Sequence, residues 1–293
     1  MRPDATTTRR AVVVGAAAGL CVGPSWAADR LAAIEASVGG PVGVFALDTA
    51  SGRMIAHRAD ERFPMCSTFK VMAAAAALKR VEAGAIRLDT FVRYGPADLL
   101  GYAPVTSRRV ADGGMPLGDL LAAAIELSDN TAANLILKQI GGPAGWTAFA
   151  RSLGDAESRL DRIEPMLNAS GPGDPRDTTT PAAMAADLRK VVLGDVLSQG
   201  SRRRLQGWML ACKTGDQRLR AGLPSAWRVG DKTGSGGADG YASSNDIAVA
   251  WTPTRPIVIA CYVTGRDVVP GAVSDHAIAD VARLVAASFH PHG

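Results

Sequence analysis

Three short runs of this 293-residue chain carry side chains that could do covalent chemistry together. The first is Ser67-Thr68-Phe69-Lys70, a hydroxyl and an amine three residues apart. On a helix that spacing puts both on one face. An amine whose charge is weakened by burial and neighbours could take the hydroxyl proton and leave an oxygen nucleophile. Alone, the pattern is more often a cap and an exposed lysine. Here the residues from Val71 to Leu78 are wholly apolar and Ala-rich, the mark of a helix buried on every side. Lys70 therefore stands where an unpaired ammonium is costly. The second run is Ser128-Asp129-Asn130, ahead of a helical stretch, and the third is Lys232-Thr233-Gly234-Ser235, closing a strand-like one. Each alone reads as a cap or a turn.

Other hydrolytic chemistries lack their residues. Of the four histidines, His290 and His292 lie in the terminal tail, and His57 and His276 belong to no acid-histidine-serine pattern. No HExxH pair appears and the one HxH pair, His290-Pro291-His292, lies in the terminal tail, so a zinc hydrolase is not expected, and neither is any other cofactor.

Elements that could position these runs follow from periodicity. Helices are expected over residues 29–38, Ser67 to Ala83, Leu117 to Leu127, Thr131 to Ile140, Gly145 to Leu153, Thr180 to Leu193 and about 274–288. Strands are expected at Pro41 to Asp48 and Arg53 to His57, turned at Ala50-Ser51-Gly52, and again at 227–233, 245–251 and 256–263. Between Pro64 and Gly207 strand signals vanish. The pattern predicts an α+β chain whose antiparallel, five-stranded sheet is built from both termini and flanked by helices. On this reading residues 28–60 and 208–293 form one lobe, 61–207 an inserted all-helical lobe, and the cleft between them is the place for a site. The segment Asn168 to Asp177 has neither period and is dense in turn formers, as in a compact Ω loop.

Taken in order, on helix, loop and strand, the Ser-x-x-Lys, Ser-Asp-Asn and Lys-Thr-Gly set is shared by class A β-lactamases and penicillin-binding proteins. The mature chain, nearly end to end, resembles a class A serine β-lactamase. Arg162-Ile163-Glu164-Pro165-Met166-Leu167-Asn168 resembles that family's deacylation motif, with Met166 where many members carry an acid. The resemblance implies catalytic roles for Ser67, Lys70, Ser128, Glu164, Asn168 and Lys232. It implies substrate contacts from Tyr102, Asn130, Thr233, Gly234, Ser235 and Arg218, and an Arg162–Asp177 pair closing the loop at about 162–177. The implied reaction is hydrolysis of penicillins and cephalosporins through a serine acyl-enzyme, with Lys70 or Glu164 as the acylating base. Two rivals differ from this. A cell-wall peptidase or transpeptidase has no deacylating Glu. A β-lactam sensor lacks it too and carries a membrane span. Cys66 has no cysteine partner after Lys-Thr-Gly, where Gly236-Gly237 stand, so it reads as a packed thiol.

Composition adds bounds. The first residues pair Arg9-Arg10 with a short apolar run from Ala11 to Gly23 and a small-x-small ending, an export signal expected to be cut after Ala27. Removing it takes away three arginines and one aspartate, lowering the formal charge from +4 to +2. Basic residues form no stripe, so nucleic acid is not an expected partner. No membrane anchor is expected, and a monomer is. The mature part keeps Cys66, Cys212 and Cys261, an odd number for an oxidising compartment.

Overall fold

A computed structural model describes residues 25–290, except 170, 172 and 266–270. The expected export signal lies outside the described residues up to residue 24. Helix α1 (Ser25–Val38) starts earlier than expected, so the expected cut after Ala27 lies in its first turn. It is followed by the hairpin β1 (Val42–Asp48) and β2 (Met54–His57), then by a short strand β3 (Phe63–Pro64). Next come the buried helix α2 (Phe69–Glu82), β4 (Phe91–Arg93), α3 (Thr106–Arg109) and β5 (Gly114–Pro116). Helices α4 (Leu117–Glu126), α5 (Asn130–Ile140) and α6 (Gly142–Ser152) lead to the Ω-type loop and β6 (Thr178–Thr179). Then follow α7 (Pro181–Val192), α8 (Gln199–Leu210) and α9 (Leu219–Gly222). The chain closes with β7 (Arg228–Ala238), β8 (Tyr241–Trp251), β9 (Pro256–Gly265) and α10 (Ala272–Phe289).

The fold is mixed α and β. Its five-stranded sheet has the order β2-β1-β9-β8-β7, every neighbour antiparallel. Alternation sorts side chains onto its two faces. Val42, Val44, Ile257, Ile259, Cys261 and Val263 pack with α1 and α10, while Ile247, Val249, Val258, Ala260 and Tyr262 join the core of the helical region. Both faces are covered, so β8 and β9 are buried almost throughout. β7 and β8 turn at Asp239-Gly240, both at positive φ, which suits the tight primed hairpin turn that Asp-Gly favours.

Inside the helical region α2 is the central post. Ala73 to Ala77 are all buried, and their small side chains let α4, α5, α6, α7 and α8 pack around it. Several expectations need correction here. The α-helix does not begin at Ser67: Cys66–Thr68 form a 3₁₀ turn and the α-helix starts at Phe69. Strands do occur between residues 64 and 207, as the pairs β3–β6 and β4–β5, each too short to show alternation. Helix α8 has no clear apolar period because three arginines and two glycines interrupt it; Ser198 caps it by accepting the Ser201 N–H. No helix among the described residues is long and apolar enough to cross a membrane.

Candidate functional site

A cavity of about 360 Å³ lies where β7 passes the start of α2. It is lined by Ser67, Tyr102, Ser128, Asn130, Asn168, Thr214, Arg218, Thr233, Gly234 and Ser235. The close approach explains two glycines. A Cβ on Gly234 would stand 2.7 Å from the Met65 carbonyl oxygen and 3.2 Å from the Ser67 nitrogen. One on Gly236 would stand 2.7 Å from the Asn168 oxygen and 2.8 Å from Cys66 Sγ. Without side chains at these positions the strand edge can lie against the Ser67 turn and the Ω loop.

Ser67 sits in the 3₁₀ turn beside Cys66, whose φ of 46° is in the left-handed region that costs a non-glycine residue energy. Ser128 (φ 58°) and Asp177 (φ 57°) are held the same way. Ser67 Oγ donates to Glu164 Oε1 at 3.3 Å. Lys70 Nζ, fully buried, lies 2.8 Å from the Ser128 carbonyl, 2.6 Å from Asn130 Oδ1, 3.2 Å from Ser128 Oγ and 3.1 Å from Glu164 Oε1. Four acceptors around three protons make a dense buried network. Burial pushes the Lys70 amine below its ordinary range, and the Glu164 carboxylate opposes that.

Lys232, also fully buried, donates to Ser128 Oγ at 3.0 Å and to the Thr233 carbonyl at 2.8 Å. Burial, then repulsion from Lys70, lowers it to about 8. Ser128 Oγ is thus a hub between two lysines whose charges disfavour each other. The Ser-Asp-Asn run is anchored by Asp129, which accepts from Val105 N, Thr106 N, Thr106 Oγ1 and Ala132 N, the last capping α5.

Glu164 enters from the Ω loop. Asn168 Nδ2 donates to its Oε2 at 2.5 Å. Asn134 clamps its backbone at both ends, Nδ2 to the Glu164 carbonyl at 2.9 Å and Oδ1 from the Glu164 N–H at 3.0 Å. Asn134 was not expected from sequence, although it lies one turn after Asn130 and so on the same face of α5. Arg162 and Asp177 stay outside the cavity and join the loop's two ends. Arg162 Nε donates to Asp177 Oδ2 at 2.5 Å, while Asp177 Oδ1 accepts the N–H groups of Asp161 and Arg162.

Arg218 reaches the opposite wall. Its guanidinium donates to Ser235 Oγ at 2.8 Å, to the carbonyls of Gly234 and Asn245, and to Asp275 Oδ1 at 2.7 Å. Thr214, another residue the motifs did not flag, contacts Thr233 Oγ1 at 2.6 Å. Tyr102 stands half exposed at the mouth, its carbonyl accepting the Asn130 N–H. Cys66 lies behind Ser67, and burial pushes its thiol up to about 12, so it stays protonated. Cys66, Cys212 and Cys261 are free and buried.

The arrangement offers a hydroxyl beside an amine–carboxylate pair, a second hydroxyl bridging two lysines, and a cationic, hydroxyl-rich wall fit for a carboxylate. That is the equipment of acyl transfer to serine followed by hydrolysis.

Comparison with known proteins agrees with this chemistry. The β-lactamase enzyme family profile matches residues 27–289. The chain is 51% identical over 261 residues to β-lactamase FAR-1 of Nocardia farcinica, covering 88% of this chain and 82% of that one. It is 56% identical over 239 residues to β-lactamase L2 of Stenotrophomonas maltophilia, covering 81% and 78%. An ancestral class A β-lactamase structure superposes with a TM-score of 0.86 at 57% identity, over 90% of this chain and all of that one. By sequence profile, by relatives and by fold, the chain belongs to the class A β-lactamases.

Proposed function

We propose that Ser67 is the nucleophile with which this enzyme opens and hydrolyses β-lactams. Ser67 Oγ attacks the lactam carbonyl, and its proton passes to the Lys70–Glu164 pair, two groups 3.1 Å apart. Backbone N–H groups of Ser67 and Ser235 hold the oxyanion, a contribution worth about 10²–10³ in rate per donor in a serine protease. The ring C–N bond then breaks. Ser128 hands its proton to the departing nitrogen and is resupplied by the lysines on either side. Lys232, Thr233, Ser235 and Arg218 receive the ring carboxylate; Asn130 and Tyr102 flank the side chain. Glu164, steered by Asn168 and Asn134, draws a proton from water, whose oxygen attacks the ester and releases Ser67.

The observation that carries this reading is Glu164 Oε1, shared between Ser67 Oγ and Lys70 Nζ while Oε2 is fixed by Asn168. Glu164→Gln should still acylate, through Lys70, yet fail to deacylate. Mass spectrometry with a slow substrate should show a stoichiometric adduct of protein plus intact drug; its absence sinks the assignment.

The same reading makes the protein an exported monomer. Arg9-Arg10, an apolar stretch and a small-x-small ending at the start of the chain, the pattern of an export signal, support the export. The chain is further read as two lobes, 28–60 with 208–293 and 61–207. Their shared core, from α2 through β8 and β9, makes them one cooperative unit rather than independently stable parts.

A further inference from the structure

A second cavity, of about 840 Å³, lies between the β1–β2 hairpin and α7 and shares no lining residue with the catalytic cleft. One wall is the sheet. Leu47 and Met54 pair across β1 and β2, and Phe45 stands two residues before Leu47, so alternation puts all three on one face. Leu47 and Met54 are half-buried and join neither hydrophobic core. The other wall is α7 and the residue that ends it. Ala182, Ala186, Arg189 and Leu193 recur at steps of three or four, the spacing of one helix face. The two alanines keep the trough open where longer side chains would close it against the sheet.

Charge decides what such a trough would take. Two of its twelve lining residues are basic and none is acidic. Lys190 is already engaged, its ammonium donating to the Leu153 carbonyl. Arg189 is exposed and makes no side-chain hydrogen bond or ion pair among the described residues. The carbonyls at this helix end oppose an anion little, because those of Arg189 and Val192 already accept, from the Leu193 and Gly194 N–H groups and from Gln206 Nε2. An apolar trough beside one unpaired guanidinium suits an amphiphile with an anionic head. A carboxylate brings one charge and takes two parallel N–H bonds from a guanidinium. A phosphate monoester brings nearly two charges, and one free cation answers only one of them. We infer that this cavity binds a long-chain fatty acid, its tail between the β1–β2 hairpin and α7 and its carboxylate on Arg189. The inference is independent of the chemistry at Ser67.

Isothermal titration of the mature enzyme with dodecanoate, kept below its micellar concentration, tests this. Each chain should take up one molecule. Dodecyltrimethylammonium, with the same tail and the opposite charge, should bind roughly tenfold more weakly or worse, and dodecyl phosphate no tighter than dodecanoate. Arg189→Glu should weaken dodecanoate about tenfold or more, the scale of a lost hydrogen bond to a charged group. Ala186→Trp, which fills the trough, should abolish saturable uptake. Both residues are exposed and stand outside the cleft, so unchanged β-lactam hydrolysis reports that the variants fold. Should a variant not fold, the three head groups compared on wild-type protein stand alone as the test. No saturable uptake, equal affinity for the cationic amphiphile, tighter binding of dodecyl phosphate, or unchanged binding by folded variants would overturn the inference. So would a dimer in sedimentation that Ala186→Trp dissolves, since the trough would then belong to a second copy.

Discussion

The buried lysines carry opposite risks. Lys70 is stitched into carbonyl, amide and carboxylate oxygens, so its charge is compensated where it stands. Lys232 has a hydroxyl and a carbonyl, with the Lys70 charge nearby and no carboxylate in hydrogen-bond contact, which is why it falls to about 8. In the proposed reaction Lys232 holds the ring carboxylate as a cation. The sign is therefore fixed: as pH rises through about 8, free enzyme loses the Lys232 proton and kcat/KM declines. Lys232→Arg carries a charge that does not titrate in this range, so its alkaline limb should move to above pH ~10. A pH–rate profile of both proteins with one penicillin checks this, and coincident alkaline limbs would refute it. The resemblance pointed to Ser67, Lys70, Ser128 and Lys232 because their motifs are contiguous in sequence. Asn134 and Thr214 were missed because neither stands in a motif; each works only by lying against Glu164 or Thr233 in space.

At the scale of elements, the Ω loop depends on its neck and on the strand it rests against. Asp177 is buried, with Arg162 on one oxygen and two backbone N–H groups on the other. Asp177→Ala leaves the guanidinium and both amides without that partner. It should cost about 3 kcal/mol, the range for breaking a buried pair, measured by denaturant unfolding. Burst kinetics should show deacylation falling more than acylation, since Glu164 and Asn168 ride on the loop. Gly236→Ala acts from the other side. Its Cβ must displace the Asn168 backbone, 2.7 Å away, so an acyl-enzyme that builds up during turnover is the expected outcome. Turnover without such build-up would show that the loop yields freely. The main helices and the sheet strands were legible from periodicity, because each buries a regular face. Helix α8 and the strand pairs β3–β6 and β4–β5 were not, since caps and tertiary pairing rather than apolar period define them.

The whole molecule adds a dependence of stability on pH. Asp187, on α7, is buried and hydrogen-bonded to Asp155, and the two effects raise it to about 8. An unfolded Asp ionises near its model value of 3.8. Between these values the folded protein holds a proton that the unfolded chain has lost, so stability falls as pH rises from about 4 to about 8. Asp187→Asn should remove that slope. Relative to the variant, wild-type protein should lose on the order of 2 kcal/mol across this window, roughly 4–8 °C in Tm. Parallel melting curves at every pH would contradict the account. Export is tested on the same scale: N-terminal sequencing of protein recovered outside the cytoplasm should begin at Ala28, which trims the first turn of α1.

The amino-acid sequence by itself determined residue types in short motifs, the all-round apolar character of α2, and the strand runs at both ends. These are local properties, set by neighbours within a few positions. Tertiary structure alone decided that Glu164 reaches Ser67 from 97 residues away, that Ser128 bridges Lys70 and Lys232, and that Asn134 and Thr214 belong to the site. Such contacts require loops to close and β7 to press against the Ser67 turn. That approach depends on the absence of side chains at Gly234 and Gly236, a fit visible only once both surfaces are in place.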